Sequence, residues 1–277
     1  MTTTLRPTGP ERRTDGGGRS RSYAVCVNSR PVGTVRLTTD VHWGTWAGRI
    51  ENLAIDEPDR RRGRGTVAAL AAEEVLRGWG CAQAVVSVPA SAAPALSLAA
   101  ALGYAQRGRT LVKELSGPVP LPADSRVRPM GDAEYGPWLA RERAGYVRDW
   151  RERGLTDEQA EARGEAGYAA LYQGPATPGA ALRVLVHGGA DVGTLWVALG
   201  GGLPDGVDAY VYAVEVAEEY RGRGHGRTLM LVAEREALAA GARTLGLHVF
   251  AGYTPAERLY ASLGYRATDV HLHKPLL

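Results

Sequence analysis

The chain has 277 residues, of which 44% are hydrophobic and 23% charged. That composition suits a globular protein with a sizeable core and excludes a disordered chain. No apolar run is long enough to span a bilayer, and two cysteines, Cys26 and Cys81, make neither a disulfide framework nor a four-ligand zinc site. The net charge of +3 is mild, and acids such as Asp56, Glu57, Glu73, Glu74, Glu218 and Glu219 interleave with the arginines, which argues against a nucleic-acid face.

In chain order, residues 1–19 are polar and rich in Arg and Gly, with no hydrophobic signal segment. They predict a disordered arm on a cytoplasmic protein. Tyr23–Val27 and Val32–Leu37 read as a hairpin across Asn28-Ser29-Arg30-Pro31. Ile50–Ile55 is a strand, Thr66–Gly78 a helix, Ala84–Val88 a strand, Pro94–Leu102 a helix and Thr110–Leu115 a strand. Residues 116–124 hold three closely spaced prolines, which remove donors and fix φ, and read as a linker.

Two helices follow, over Asp132–Gly154 and from Thr156 to about Tyr172, the second opened by a capping box of Thr156 and Gln159. Leu182–Val186 and Val192–Leu199 form a hairpin. Ala209–Val216 is a strand. Gly226–Ala240 is a helix with Gly226, Met230, Ala233 and Ala237 on one stripe, stopping at Gly241. Thr244–Phe250 alternates as a strand, Pro255–Leu263 is a helix, and Val270–Lys274 is the last strand.

One motif occurs twice. Arg60-Arg61-Arg62-Gly63-Arg64-Gly65 and Arg221-Gly222-Arg223-Gly224-His225-Gly226 share the pattern Arg-x-x-Gly-x-Gly, 161 residues apart as 60 and 221. The same period pairs Gly80 with Gly241, Pro94-Ala95 with Pro255-Ala256, Leu102-Gly103-Tyr104 with Leu263-Gly264-Tyr265, and Lys113 with Lys274. A short motif with the same downstream spacing twice argues for two copies of one fold. The first covers residues 20–115 and is shortened at its start; the second covers 125–277.

A strand, a glycine-rich turn and a helix start are the parts of an anion site. Backbone N–H groups at a helix N-terminus are unpaired, the helix dipole favours negative charge there, and glycine lets an anion approach. Arg221, Arg223 and Arg227 add charge, and a diphosphate is the ligand best suited. The dinucleotide fingerprint requires G-x-G-x-x-G, and Gly222, Gly224 and Gly226 do not have that spacing. The Walker loop requires a lysine that is absent.

The second copy resembles the GNAT family of acetyl-CoA-dependent N-acetyltransferases. The resemblance rests on Val211-Tyr212-Ala213-Val214-Glu215-Val216, Arg221–Gly226, Leu247-His248-Val249-Phe250 and Leu259-Tyr260-x-x-Leu263-Gly264-Tyr265, and reaches the first copy more weakly through Arg60–Lys113. It implies an α+β, three-layer fold in tandem: mixed, mostly antiparallel sheets flanked by helices. It further implies that strands Ala209–Val216 and Thr244–Phe250 splay apart, with the pantetheine arm of acetyl-CoA, the cosubstrate, lying between them. The backbone of Val214 and Val216 would bond that arm, and the amides of Gly222, Arg223, Gly224, His225, Gly226 and Arg227 the diphosphate, with Arg221 beside them. Tyr253 stands where many members carry Asn and is a further expected cofactor contact.

An amine attacking a thioester must be neutral, and an alkylamine is mostly protonated at neutral pH. A carboxylate at the end of the cofactor strand can take the proton, directly or through water. Glu215 is the expected base, and Tyr260, where the family places a tyrosine near the CoA sulfur, the expected acid. At the 161-residue period these map to Ala54 and Ala99, and Tyr253 to Ala92. The first copy is therefore expected to be catalytically dead, whether it holds acetyl-CoA or only shapes the pair.

The acceptor pocket would draw on Tyr135, Trp138, Tyr146, Trp150, Tyr168 and Tyr172, with Trp196, Tyr210 and Tyr212 nearby; core packing is the other reading of those rings. Glu142, Glu158, Glu161 and Glu165 could attract an amine or could form a solvated face. The function expected is acetyl transfer to a primary amine of a small molecule or peptide, with no metal, nucleic-acid or membrane partner. A non-catalytic acyl-CoA-binding regulator is the alternative.

Overall fold

The computed structural model describes residues 2–13, 17–39, 47–152, 154–169 and 174–276. The chain forms two compact units, Met1–Gly108 with Asp269–Leu277, and Arg109–Thr268. In order the elements are β1 (Thr3–Pro7), β2 (Arg12–Arg13), β3 (Arg19–Val27), β4 (Arg30–Thr39), β5 (Ala47–Ile55), α1 (Arg64–Gly78), β6 (Gln83–Pro89), α2 (Ala93–Ala101) and β7 (Ala105–Glu114). There follow β8 (Ser125–Pro129), α3 (Asp132–Glu152), α4 (Asp157–Tyr168), β9 (Ala180–His187), β10 (Ala190–Ala198), β11 (Ala209–Val216), α5 (His225–Ala239), β12 (Thr244–Phe250), α6 (Thr254–Ser262) and β13 (Arg266–Pro275).

In the first unit the sheet runs β1-β3-β4-β5-β6 and closes with the Asp269–Pro275 part of β13. The pairs are antiparallel except β5 with β6, which is parallel from Ala47↔Gln83 to Arg49↔Val85. The second unit repeats this as β8-β9-β10-β11-β12 and closes with the Arg109–Glu114 part of β7. Its one parallel pair runs from Ala209↔Leu245 to Val211↔Leu247. The sequence expectation gave each copy its own last strand; the structure gives each unit the closing strand of the other copy.

The exchanged strands carry the chain's only two lysines. Lys113 donates to Glu234 on α5 at 2.7 Å and stands 5.7 Å from the Tyr265 ring. Lys274 donates to Glu73 on α1 at 2.7 Å and stands 5.7 Å from the Tyr104 ring. Glu234 and Glu73 are 2% and 1% exposed, and removing the lysine partner of either would leave a buried acid unpaired in the core.

The disordered arm expected over residues 1–19 is corrected. Thr3–Pro7 pairs antiparallel with β3 from Thr3↔Val27 to Pro7↔Tyr23, and Arg12–Arg13 pairs with Arg19–Ser20. Backbone hydrogen bonds to an open sheet edge need little apolar content, and Leu5 packs on the core. Strand β8 answers to β1 as the outer strand of the second unit, pairing with β9 from Ser125↔His187 to Pro129↔Arg183. Between their first two long strands the units differ: among the described residues the first has β2, the second α3 and α4. The Thr156–Gln159 capping box is present in full.

Each face of the second sheet is covered. Leu195, Leu229, Met230, Leu245 and Leu247 are fully buried on the α5 side, and Trp138, Tyr168, Leu182, Val184 and Trp196 form the cluster on the α3 side. Each buried large side chain stabilises the fold by roughly 1.5–3 kcal/mol. Among the described residues no helix is long and apolar enough to cross a membrane.

Candidate active site

Strand β11 sets the site. Its register slips against β10, where Trp196 pairs with Ala213 and Val197 with Val211, so Tyr212 is the extra residue of a bulge. Tyr212 is 44% exposed and stacks on Trp196 at 4.5 Å. Past the bulge, Val214 and Val216 pack into the α5-side core, and by strand alternation Glu215 faces α3. Tyr212–Val216 also run on beyond the last pair with β12, leaving the two parallel strands unpaired there. Gly193 on β10 fits under this segment: a Cβ there would stand 2.4 Å from the Glu215 carbonyl oxygen, so any side chain would push Glu215 away.

Glu215 meets a second carboxyl. Glu142 on α3 hydrogen-bonds it, and burial, then the Glu215 charge, push Glu142 up to about 7. Protonated Glu142 donates to Glu215, as two adjacent carboxylates in a poorly solvated place do not both ionise readily. Trp138, Glu142 and Tyr146 fall at i, i+4 and i+8, so this acid sits within an aromatic stripe of α3. That was the legible signal, since the other three candidate acids lie elsewhere. Glu161 and Glu165 pair with Arg143 at 3.5 and 3.0 Å on an exposed face, and Glu158 is exposed.

After β11 the chain makes a short 3-10 turn, Glu218–Tyr220, and Arg221 Nε donates back to the Val216 carbonyl at 3.2 Å. The Arg221 side chain thus fixes the turn. Gly222 and Gly224 have φ of +76° and +85°, which side chains disfavour. Gly224 is the N-cap of α5, with no side-chain cap, so the first amides of the helix keep their donors for a ligand. His225 is buried with its ring 4.8 Å from His187 and 6.4 Å from Tyr220. Burial, then His187, lower its pKa, which leaves its backbone amide as the group at the turn. Arg223 lies over Tyr220 at 5.7 Å, and Arg227 donates to Ser262 Oγ at 2.6 Å, tying α5 to α6. Gly226 packs close to Leu259 of α6.

Tyr260 on α6 packs against the α5-side core, 6.0 Å from Tyr265, and burial raises its pKa. Glu215 and Tyr260 therefore belong to opposite faces of the second sheet. Tyr253 is the N-cap residue of α6, and its hydroxyl donates to both Asp149 oxygens at 3.2 Å, anchoring α6 to α3. Sequence reasoning missed Asp149. Of the aromatic candidates, Trp138, Trp150, Tyr168, Trp196 and Tyr210 are buried, as core packing requires; Tyr172 lies outside the described residues.

Beside Glu215 opens a cleft of about 380 Å³, lined by Met130, Trp138, Arg141, Thr194 and Glu215 among others. In the first unit the turn is built the same way, with Arg60 Nε donating to the Ile55 carbonyl at 2.7 Å and Gly63 at φ +71°. There, however, the buried Arg64 is paired with Asp59, which also accepts from Arg30 at 2.8 and 3.0 Å. A cavity of about 270 Å³ lies between β5, β6 and the two helices, lined by Leu53, Ile55, Val86, Leu98 and Ala99.

The description "Acetyltransferase (GNAT) family" matches residues 3–104 and 139–265, one stretch in each half of the chain. The chain belongs to the GNAT family. This GNAT chain is 35% identical over 85 residues to the uncharacterized N-acetyltransferase YycN of Bacillus subtilis, covering 31% of this chain and 54% of that protein. It is 39% identical over 62 residues to the mycothiol acetyltransferase of Corynebacterium glutamicum, covering 22% of this chain and 21% of that one. It thus spans about half the length of the first of these relatives and less of the other. Among solved structures, a GCN5-related N-acetyltransferase from Sphaerobacter thermophilus superposes with a TM-score of 0.57 at 20% identity, over 92% of this chain and 80% of that one. A tandem GNAT protein from the clavulanic acid biosynthesis pathway gives 0.51 at 20% identity, over 96% and 86%. Both likenesses concern the fold, and the tandem architecture is shared with the second.

Proposed function

We propose that the second unit transfers the acetyl group of acetyl-CoA to a primary amine of a small molecule or peptide. The observation that carries this reading is the placement of Glu215. It stands at the unpaired end of β11, on the face opposite Val214 and Val216, one short turn before the uncapped start of α5. The free amides at Gly222–Arg227 suit the diphosphate of acetyl-CoA, and the gap past Val211 and Leu247 suits its pantetheine arm.

In this reading Glu215 takes the proton that an acceptor ammonium must lose before it can attack. Glu142 holds Glu215 in place and shares its proton. The amine nitrogen forms a bond to the thioester carbonyl carbon, the carbon–sulfur bond breaks, and Tyr260 gives its hydroxyl proton to the departing thiolate; the nitrogen sheds its second proton to solvent as it becomes an amide, and the Tyr260 phenolate regains one from solvent. Burial keeps that hydroxyl protonated until it is needed. The first unit has Ala54 and Ala99 at the equivalent places, and alanine can move neither proton.

The test is transfer to a panel of amines by the intact protein and by Glu215→Gln and Tyr260→Phe. Loss of general acid or base catalysis should lower turnover, about 10²–10⁴-fold for Glu215→Gln. Unchanged turnover in both variants would refute the assignment. The alternative, a non-catalytic acyl-CoA-binding regulator, draws support from the apolar cavity of the first unit. Two acetyl-CoA sites per chain by calorimetry, with no transfer to any amine, would favour it.

A further inference from the structure

The cleft beside Glu215 carries more information than the position of a base. Its α3 wall presents Glu134, Pro137, Trp138 and Arg141, and its other walls Asp191, Gly193, Thr194 and Glu215. Glu134, Trp138 and Arg141 are spaced i, i+4 and i+7, so they share one face of the helix.

The acids of this wall are already answered. Arg128 donates to both Glu134 oxygens at 2.6 Å and to Asp191 at 2.7 Å. Glu134 also accepts from the Gly131 amide at 2.9 Å. These bonds, that of Arg128 foremost, hold Glu134 down at about 2, so it stays ionised and engaged. Glu142 and Glu215 are bonded to each other.

The arginine is not answered. Arg141 is exposed, and its guanidinium makes no hydrogen bond or ion pair among the described residues. It lines the same cleft as Glu215. A guanidinium and a carboxylate in one cleft suit a ligand with a carboxylate at one end and an ammonium at the other.

We propose that the acceptor is a zwitterion, an amine that also carries a carboxylate, with the carboxylate held by Arg141 and the amine delivered to Glu215. This deepens the acetyl-transfer reading and rests on it. Arg141 is a specificity-determining residue: it selects which amine enters and takes no part in the proton transfers. A guanidinium suits this task because its N–H groups match a carboxylate in a fixed, two-pronged geometry.

The experiment uses the full chain, acetyl-CoA and matched pairs of acceptors, each an α-amino acid and the amine left by removing its carboxylate: L-tyrosine with tyramine, L-leucine with isopentylamine, L-lysine with cadaverine. Thiol release gives kcat/KM for each. Within at least one pair the acid-bearing member should be preferred about 10–100-fold, the range expected for a hydrogen bond to a charged group. In Arg141→Met that ratio should collapse towards one through a rise in KM for the acid, and Arg141→Lys should restore part of it. A preference for the plain amine in every pair, or a ratio unmoved by Arg141→Met, overturns the proposal while leaving acetyl transfer standing. Binding of acetyl-CoA with transfer to neither member of any pair, nor to a wider amine panel, would overturn both.

Discussion

The two units share a scaffold and part company where protons would move. Both bend the arginine before the glycine turn back to the end of the preceding strand, Arg60 to Ile55 and Arg221 to Val216. Both bury a glutamate on the helix after the turn against a lysine from the closing strand, Glu73 with Lys274 and Glu234 with Lys113. Both place a glycine under the cofactor-type strand, where a Cβ would stand 2.2 Å from Ala54 O in one and 2.4 Å from Glu215 O in the other. At two of the repeated places the copies differ, Glu215 against Ala54 and Tyr260 against Ala99, and alanine can neither accept nor donate a proton. The helices α3 and α4, the first of which brings Glu142 and Arg141 to the second sheet, are replaced in the first unit, among the described residues, by β2. Residues that shape the fold repeat at fixed spacing, and residues that would do chemistry do not.

The largest test of this comparison is to break the paired lysines one at a time. Removing one partner of a buried ion pair costs about 3–5 kcal/mol. Lys274→Met should lower the unfolding free energy by that order and speed hydrogen exchange in α1 and β6 of the first unit, although Lys274 belongs to the second sequence copy. Lys113→Met should do the same to α5 and β12. Denaturant unfolding with residue-resolved exchange reads both, and loosening confined to the copy that carries the substitution would refute the strand exchange.

A smaller effect comes from Glu142. Its folded pKa is raised above the unfolded value, so the native state binds more protons between roughly pH 4.5 and 7. Its contribution is therefore full below that window and is lost as pH rises through about 7. Its own contribution should fall across the window by at most about 3.5 kcal/mol, because each pH unit between the unfolded and folded pKa is worth about 1.4 kcal/mol. Glu142→Gln should flatten the slope, and a slope unchanged in that variant would remove the carboxyl pair.

Smaller again is the effect of Tyr260→Phe. It keeps the ring and its packing on Tyr265 and should lower kcat by about 100-fold, the lower end of general-acid contributions. Unfolding midpoints should stay close to wild type, because only a hydroxyl is lost. A large drop in stability without a drop in kcat would make Tyr260 a packing residue, like Ala99 in the other unit.

Much of this was legible in the sequence, for local reasons. The glycine turns, the capping box at Thr156 and Gln159, and the hairpin across Asn28 and Ser29, whose φ of +47° and +73° suit a tight two-residue turn, are written in neighbouring residues. What was not legible depends on distant partners. Thr3–Pro7 is polar and becomes a strand only because the edge of β3 is available to it. The exchange of closing strands leaves the order of elements unchanged, so no periodicity reveals it; only the pairing of Lys113 and Lys274 with Glu234 and Glu73 does. Glu142 looked like the other helix acids until the fold set it against Glu215, 73 positions away as 142 and 215.

The most direct measurement is a single-turnover assay on Glu215→Ala, which gives the second unit the residue the first already has. The intact protein, loaded with acetyl-CoA and mixed with a competent amine, should transfer its acetyl group rapidly. The variant should still bind acetyl-CoA with the wild-type stoichiometry and transfer at least about 100-fold more slowly, the lower bound for loss of a general base. Undiminished transfer in Glu215→Ala would contradict the assignment of the chemistry to the second unit.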